Sequence, residues 1–331
     1  MKVLAGDVGG TNARLALVEV EGNRATILDR KDFPSARYAG LAPIVLEYLA
    51  TLNEQPENAC FGVPCPIDEG SCTLANLNWV LDLAEFQRET RLPRALLIND
   101  FAALGHAISF LQPDDLVAIS AGTARPMAAM GIIGAGTGLG QGALIWDGTR
   151  YRVVASEGGH VDFAPRTEEE IALLRFLLQR YPRVSWERVL SGKGLVNIYE
   201  FLIATGYGPE LPEVKRQMAT RDPAAVISSH GLGFTDPVCR HALDIFVSVY
   251  GAQAGNVALV YRARGGVYLA GGIAPRIVPR LLDGAFLTAF RAKGRLTALL
   301  ERIPVSVILD DRAALWGAAV VALDGAGVGR A

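Results

Sequence analysis

The chain has 331 residues, half of them apolar (50%) and a fifth charged (20%); at roughly 150 residues per domain this predicts about two domains with ample core and excludes a low-complexity, disordered chain. Lys plus Arg (32) nearly offsets Asp plus Glu (34), for a net charge of -2, so no basic excess draws nucleic acid or an anionic membrane, and neither is an expected partner. Glycine is in excess at 36 residues, about 11% against a usual level near 7%, which without a collagen period points to tight turns where backbone closely approaches something.

Val3, Leu4 and Ala5 predict an opening strand that runs into Asp7-Val8-Gly9-Gly10-Thr11-Asn12. Only residues 3–6 lie uncharged between Lys2 and Asp7, too few for a signal peptide. Leu15 and Leu17 then alternate with Ala16, Val18 and Val20, the pattern of a strand buried on both faces in mid-sheet. Ala25, Ile27 and Leu28 predict a third strand. Over residues 39–52 the spacing of Leu41, Ile44, Val45, Tyr48 and Leu49 predicts a helix. Strands are expected over 59–63 and 95–98, the second ended by Asn99-Asp100 and followed by a helical pattern through Phe101, Leu104 and Ile108.

Residues 130–133 predict a strand before Gly134-Ala135-Gly136-Thr137-Gly138-Leu139-Gly140, with strands again at 143–145 and 151–154. Strand, glycine turn, strand, strand thus occurs twice, each turn with a Gly-Thr step, which predicts a duplicated architecture with its turns facing each other; ordinary hairpins use such glycines too. The uncharged stretch 127–146 is long enough to span a bilayer, but its six glycines with Thr137 and Gln141 suit strand-turn-strand. Residues 245–261, also uncharged, include Gln253 and Asn256 and predict a buried helix. Thr167 with Glu170 forms a capping box before the stripe Ile171, Leu174, Leu177 and Leu178, and Pro182 closes that helix. A strand at 265–269 leads into Ala270-Gly271-Gly272-Ile273 and a helix, and a last strand at 305–309 precedes a terminal helix over 312–323 and a fraying glycine-rich tail. Cys60, Cys65, Cys72 and Cys239 form no Cys-x-x-Cys pair, and His241 beside Cys239 lacks further ligands. The cysteines therefore read as free, mostly buried thiols of a cytoplasmic protein rather than as a zinc site.

Asp7 at a strand end, with Gly9-Gly10-Thr11 behind it, suits a carboxylate holding hydrated Mg²⁺ while backbone N–H groups face phosphate oxygens; a plain hairpin accounts for the same residues. No Gly-Lys-Ser/Thr follows, so this is not a Walker A loop. Gly136-Thr137-Gly138 suits a clamp on the same phosphates from the opposite side. Gly271-Gly272 suits backbone pressed on a flat base, or an ordinary strand-to-helix turn.

Six segments occur in order: Asp7-Val8-Gly9-Gly10-Thr11-Asn12, Ile98-Asn99-Asp100-Phe101, Gly134 to Gly140, Glu157-Gly158-Gly159-His160-Val161-Asp162-Phe163, Glu187-Arg188-Val189-Leu190-Ser191-Gly192 and Ala270-Gly271-Gly272-Ile273. Together they resemble the bacterial glucokinases of the hexokinase, actin and Hsp70-like ATPase superfamily, over nearly the whole chain. The resemblance implies an α/β, two-domain ribonuclease H-like (actin-like ATPase) fold with a duplicated mixed-sheet core and an inter-domain cleft. Residues 1–110 plus 310–331 would form the small domain and 111–309 the large one. It implies transfer of the ATP γ-phosphoryl group to the 6-hydroxyl of D-glucose with Mg²⁺, and a homodimer. Its nucleotide residues map onto Gly6, Asp7, Val8, Gly9, Gly10, Thr11, Gly136, Thr137, Gly138, Gly271 and Gly272, with Asp7 reaching Mg²⁺ through water. Asp100 would be the general base that takes the hydroxyl proton, although Asn or Asp between strand and helix is also the commonest N-cap. Asn99, Asp100, Glu157, His160 and Glu187 would bind the sugar, whose hydroxyls need donors and acceptors around the ring. Read singly, Glu187 is a solvated helix residue and His160 a hydrogen-bonded loop histidine. Asn76 fits the sugar pattern loosely. Gln141, where a small apolar residue is expected, and Lys193 depart from the family pattern.

Two alternatives share these motifs. A kinase for fructose, mannose or an N-acetyl sugar would keep the phosphate turns and change the hydroxyl contacts; its zinc-bearing branch lacks support because the Cys-rich motif is missing. A non-catalytic sugar sensor would need a DNA-binding module that precedes the first strand. Polyphosphate is an alternative phosphoryl donor.

Overall fold

The computed structural model describes residues 1–22, 24–74, 77–310 and 312–325. Asn76 and the tail from residue 326 lie outside them. The chain forms two compact units, one of Met1–Asp115 with the stretch from Asp310 onward, the other of Leu116–Leu309.

Unit 1 starts with the meander β1 (Lys2–Val8), β2 (Asn12–Glu21) and β3 (Arg24–Pro34), followed by α1 (Leu41–Leu49) and β4 (Asn58–Val63). The short pair β5 (Ser71–Leu74) and β6 (Trp79–Asp82) leads into α2 (Leu83–Thr90), whose N-cap Asp82 accepts from Glu85 N–H at 2.8 Å. Then come β7 (Arg94–Asn99) and α3 (Asp100–Ala107). The sheet runs β3-β2-β1-β4-β7, antiparallel across the meander and parallel from β1 to β4 to β7. As the alternation requires, successive side chains enter different cores. Leu4 and Leu15 pack with Leu41, Ile44, Val45 and Tyr48 of α1, whereas Val3, Ala5, Ala16 and Val18 pack with Leu315, Ala318 and Leu323 of the C-terminal helix Ala313–Gly325. That helix lies against α3 so closely that a Cβ on Gly317 would fall 1.7 Å from the Ala103 carbonyl oxygen.

One expectation is corrected here. Cys65 and Cys72 form a disulfide, with Cα atoms 6.0 Å apart, while Cys60 and Cys239 are free and buried. The pairing comes from a turn in which Asp68 and Ser71 exchange backbone hydrogen bonds and Glu69 and Gly70 take positive φ, folding the chain back on itself. No Cys-x-x-Cys spacing announces such a turn.

Unit 2 comprises β8 (Leu116–Ser120), β9 (Met130–Ala135), β10 (Leu139–Trp146) and β11 (Tyr151–Ser156), then helices α4 (Glu168–Leu178), α5 (Gly192–Ala204), α6 (Pro212–Met218), α7 (Pro223–Leu232) and α8 (Pro237–Val260). β12 (Gly266–Ala270), α9 (Val278–Leu282), α10 (Ala285–Arg291), α11 (Thr297–Leu300) and β13 (Val305–Ile308) complete it. Its sheet is β11-β10-β9-β12-β13-β8, again an antiparallel meander (β9, β10, β11) continued by parallel strands (β9, β12, β13), with β8 antiparallel at the edge. Thr167 caps α4 by accepting from Glu170 N–H at 3.1 Å, but the Glu170 carboxylate turns to Arg166, accepting from its backbone N–H at 2.7 Å, so only half of the capping box forms. Among the described residues α8 alone has the length and apolar character to cross a membrane. Its side chains instead fill the centre of this unit's core, as Gln253 and Asn256 suggested.

Candidate active site

In unit 1 the first glycine turn is closed by Gly9 N–H donating to the Asn12 carbonyl at 2.9 Å and is tied down by Ser35, whose hydroxyl donates to the Gly9 carbonyl at 2.8 Å and whose N–H donates to the Thr11 carbonyl at 3.0 Å. Gly10 and Thr11 are exposed, so their backbone is open to a ligand. Gly6 and Val8 are different. Val8 is fully buried, and a Cβ on Gly6 would strike the Phe61 ring at 2.3 Å, so both positions serve the core. The Asp7 carboxylate, 21% exposed, accepts from Arg14 Nη1 at 3.1 Å. No group of three or more His, Cys, Asp or Glu able to hold a metal occurs among the described residues. Mg²⁺ typically binds one or two carboxylates plus substrate phosphates and water. A partly open Asp7 beside a glycine turn with exposed backbone fits that pattern.

At the junction of β7 and α3 the cap falls to Asn99, whose Oδ1 accepts from Phe101 N–H at 3.0 Å and Ala102 N–H at 3.2 Å. Asp100 is therefore the first helical residue, its Oδ1 accepting from Phe101 N–H at 2.7 Å. It can come this close to the sheet because Gly62 on β4 has no side chain; a Cβ there would lie 3.3 Å from Asp100 Cα. Asn99 and Asp100 are thus neighbours of β4 in unit 1, both half-buried.

In unit 2 Leu139, at the end of the second glycine turn, gathers the other candidates. Its N–H donates to Glu187 Oε2 at 3.0 Å, and Gly138 lies so near that a Cβ there would be 2.6 Å from the same oxygen. The Leu139 carbonyl seats the turn Gly158–His160, where a Cβ on Gly159 would lie 2.0 Å from that oxygen. His160 N–H donates to the Glu157 carbonyl at 2.9 Å, and the two side chains stand 4.0 Å apart, both well exposed. Further along, Phe163 N–H donates to the Val184 carbonyl and Trp186 N–H to the Val161 carbonyl, zipping this loop to the segment that bears Glu187. The structure therefore brings Glu157, His160 and Glu187 to one place. Glu187 is not the solvated helix residue that a single-residue reading suggests; it sits half-buried on the short turn Trp186–Arg188.

The glycine turns of unit 2 also meet. Gly192 N–H, at the start of α5, donates to the Gly136 carbonyl at 2.8 Å, and Ile273 N–H donates to the Ala135 carbonyl at 3.2 Å. Gly271 has φ +80 and would place a Cβ 2.5 Å from the Ala135 carbonyl oxygen, so only glycine fits there. Gly136, Thr137, Gly138, Gly271 and Gly272 thus form one backbone-lined patch at the N-terminus of α5, a setting that suits anionic oxygens. Sequence reasoning missed Leu139, which acts through its backbone, and Ser191, which caps α5 by accepting from Gly194 N–H at 3.0 Å; a serine ahead of a helical stripe is the signal for the latter. Lys193 stands exposed, its amine 6.0 Å above the Tyr181 ring, away from these contacts.

A family model described as Glucokinase matches residues 4–325. The chain is 44% identical to a glucokinase of Nostoc punctiforme, across 97% of this chain and 98% of that one. Among solved structures, a glucokinase from an Antarctic psychrotroph superposes with a TM-score of 0.86 at 33% identity, covering 98% of this chain and 99% of its own. A ROK family glucokinase from Streptomyces griseus in complex with glucose and AMPPNP superposes at 0.64 with 20% identity, covering 98% and 100%, a likeness of fold. With full-length matches in sequence and a shared α/β fold of mixed sheets, the chain belongs to the glucokinase family.

Proposed function

We propose that this protein is a glucokinase that transfers the γ-phosphoryl group of ATP to the 6-hydroxyl of D-glucose, giving glucose 6-phosphate and ADP at the entry to glycolysis. The observation that carries the reading is the double use of Leu139. Its N–H holds Glu187 and its carbonyl seats the Glu157–His160 turn, so a phosphate-type glycine turn and a set of sugar-type side chains are one local structure. The complex of the Streptomyces griseus protein with glucose and AMPPNP supports the pairing of ligands.

In this reading Asn99, Asp100, Glu157, His160 and Glu187 are the residues that exchange hydrogen bonds with ring hydroxyls. Water is a competing phosphoryl acceptor, so the bound hexose must keep it from the γ-phosphorus. The Asp100 carboxylate accepts the proton of the 6-hydroxyl as that oxygen bonds to the γ-phosphorus and the bond to the ADP oxygen breaks. Backbone N–H groups of Gly9, Gly10, Thr11, Gly136, Thr137 and Gly138 hold the phosphates, and Gly271-Gly272 lies along the base. Mg²⁺, approached by Asp7 through water, would neutralise phosphate charge. The repeated order of meander and parallel strands in the two sheets supports a duplicated core. A cytoplasmic homodimer follows the family resemblance.

A coupled assay over glucose, fructose, mannose and N-acetylglucosamine, with ATP or polyphosphate and with or without Mg²⁺, tests the proposal. Glucose with ATP and Mg²⁺ is expected to dominate; a folded protein inactive on every hexose, or one preferring another sugar, overturns it. Asp100→Asn should retain glucose binding by calorimetry while kcat falls by about a thousandfold. Near-normal turnover in that variant removes Asp100 as the base.

A further inference from the structure

A line of side-chain amides crosses the interior of unit 2. Lys293 Nζ donates to the Asn256 Oδ1 at 2.6 Å and to the Ala252 carbonyl at 3.0 Å. Asn256 Nδ2 donates to Gln253 Oε1 at 2.8 Å, and Gln253 Nε2 donates to Gln141 Oε1 at 3.1 Å. Gln253 and Gln141 are each 5% exposed. The direction of the line follows from its charged end. An ammonium only donates, so Asn256 must turn its oxygen to Lys293 and its NH₂ to Gln253. Gln253 is then fixed in turn, and the Gln141 oxygen must face it.

The far end of the line lies under the turn that bears Glu157 and His160. A Cβ on Gly158 would fall 2.8 Å from Gln141 Oε1 and 3.2 Å from its Cδ. The backbone of Gln141 reaches the same turn, since Ser156 hydroxyl donates to the Gln141 carbonyl at 3.0 Å and accepts from Gly158 N–H at 3.2 Å. Gln141 Nε2 has no hydrogen-bond partner among the described residues. A buried donor left in that state destabilises a fold, and an apolar residue of similar size would not. A glutamine here is a burden on stability and a support for the turn above it.

We infer that Gln141 is a positioning residue for the sugar: the Lys293–Asn256–Gln253–Gln141 line fixes its amide beneath Gly158 and thereby sets where Glu157 and His160 stand. This rests on the sugar-binding role proposed above for those two residues. The full-length double variant Gln141→Leu/Gln253→Leu removes both members of the Gln253–Gln141 pair together with the orphaned Gln141 NH₂, and leaves the NH₂ of the half-buried Asn256 without its acceptor in exchange. Its melting temperature is expected to be no lower than that of the parent, and its glucose KM to rise about tenfold. The KM for ATP and kcat should stay within about twofold, since a lost sugar contact leaves nucleotide binding alone. Lys293→Met is expected to raise glucose KM in the same direction, and Lys293→Arg, again a pure donor, to restore it. Hydrogen exchange of the amides at 157–163, measured without ligands, should quicken in the double variant. An unchanged glucose KM and unchanged exchange in a folded double variant overturn the inference. So does an equal rise in both KM values with a lowered melting temperature, the signature of simple loss of packing. If the parent fails to phosphorylate any hexose, the proposed function falls while the exchange measurement still decides whether the line holds the turn.

Discussion

Asn99 and Asp100 both stand at the start of α3, where either side chain is built to cap the helix. Asn99 takes the cap, worth about 1 kcal/mol, and shares the Phe101 N–H with the neighbouring carboxylate at the mouth of α3. Lys293 shows the opposite economy, a charged group drawn inward to fix an amide. Burial, with the Arg166 guanidinium as a smaller contributor, pulls its amine down from its usual 10.5 to about 8. Below about pH 8 the amine is protonated in both the folded and the unfolded chain, and the fold carries the cost of a partly dehydrated charge. Between about 8 and 10.5 the unfolded chain holds a proton that the folded one has lost, so stability rises with pH across that window. Partial exposure screens the effect and keeps it modest. Melting temperatures from pH 7.5 to 10 should therefore climb in the parent relative to Lys293→Met. Parallel curves for the two proteins would show that the amine is as well hydrated as in the unfolded chain.

Between strand β12 and the short helical turn that follows, two adjacent glycines separate fold from ligand contact. At Gly271 the backbone is left-handed and a Cβ would meet the Ala135 carbonyl, so Gly271→Ala must displace the whole turn. It is expected to cost about 1–3 kcal/mol and to weaken ATP as well. Gly272 has open space around its Cβ position and no positive φ. Gly272→Ala should leave the melting temperature unchanged while raising the KM for ATP, because only a bound base would meet the new methyl group. An unaltered ATP KM in that variant would take Gly272 out of the nucleotide site. The strands flanking these turns were legible in the sequence because alternation and glycine punctuation are local signals. β5 and β6 were not, being only four residues each and defined by their pairing with one another. Leu139 was invisible as a site residue because a backbone N–H and C=O carry no side-chain signature. Gln141 was visible only as an oddity, since its partner Gln253 is 112 residues away.

At the scale of the whole chain, unit 1 is discontinuous: its sheet is made before residue 116 and one face of that sheet is covered largely by a helix made after residue 309. The second core of unit 1 depends on Leu315, Ala318, Ala319, Val320, Ala322 and Leu323 of that helix, packed on Val3, Ala5, Ala16, Val18 and Cys60. Burying the two leucines and the valine alone contributes roughly 1.5–3 kcal/mol each, a sum comparable with the entire stability of an ordinary domain, about 5–15 kcal/mol. Without the helix, β1, β2 and β4 would also expose an apolar face next to Asn99 and Asp100. Unit 2 has its own cluster around α8. A chain ending at Leu309 is therefore expected to lose all hexokinase turnover. Limited proteolysis should then degrade residues 1–115 while a fragment spanning 116–309 persists, and the buried Trp79 of unit 1 should become quenchable as Trp186 of unit 2 stays protected. If residues 1–115 resist the protease in the truncated chain, the meander and α1 suffice to fold unit 1, and the terminal helix is an ornament on a domain already complete.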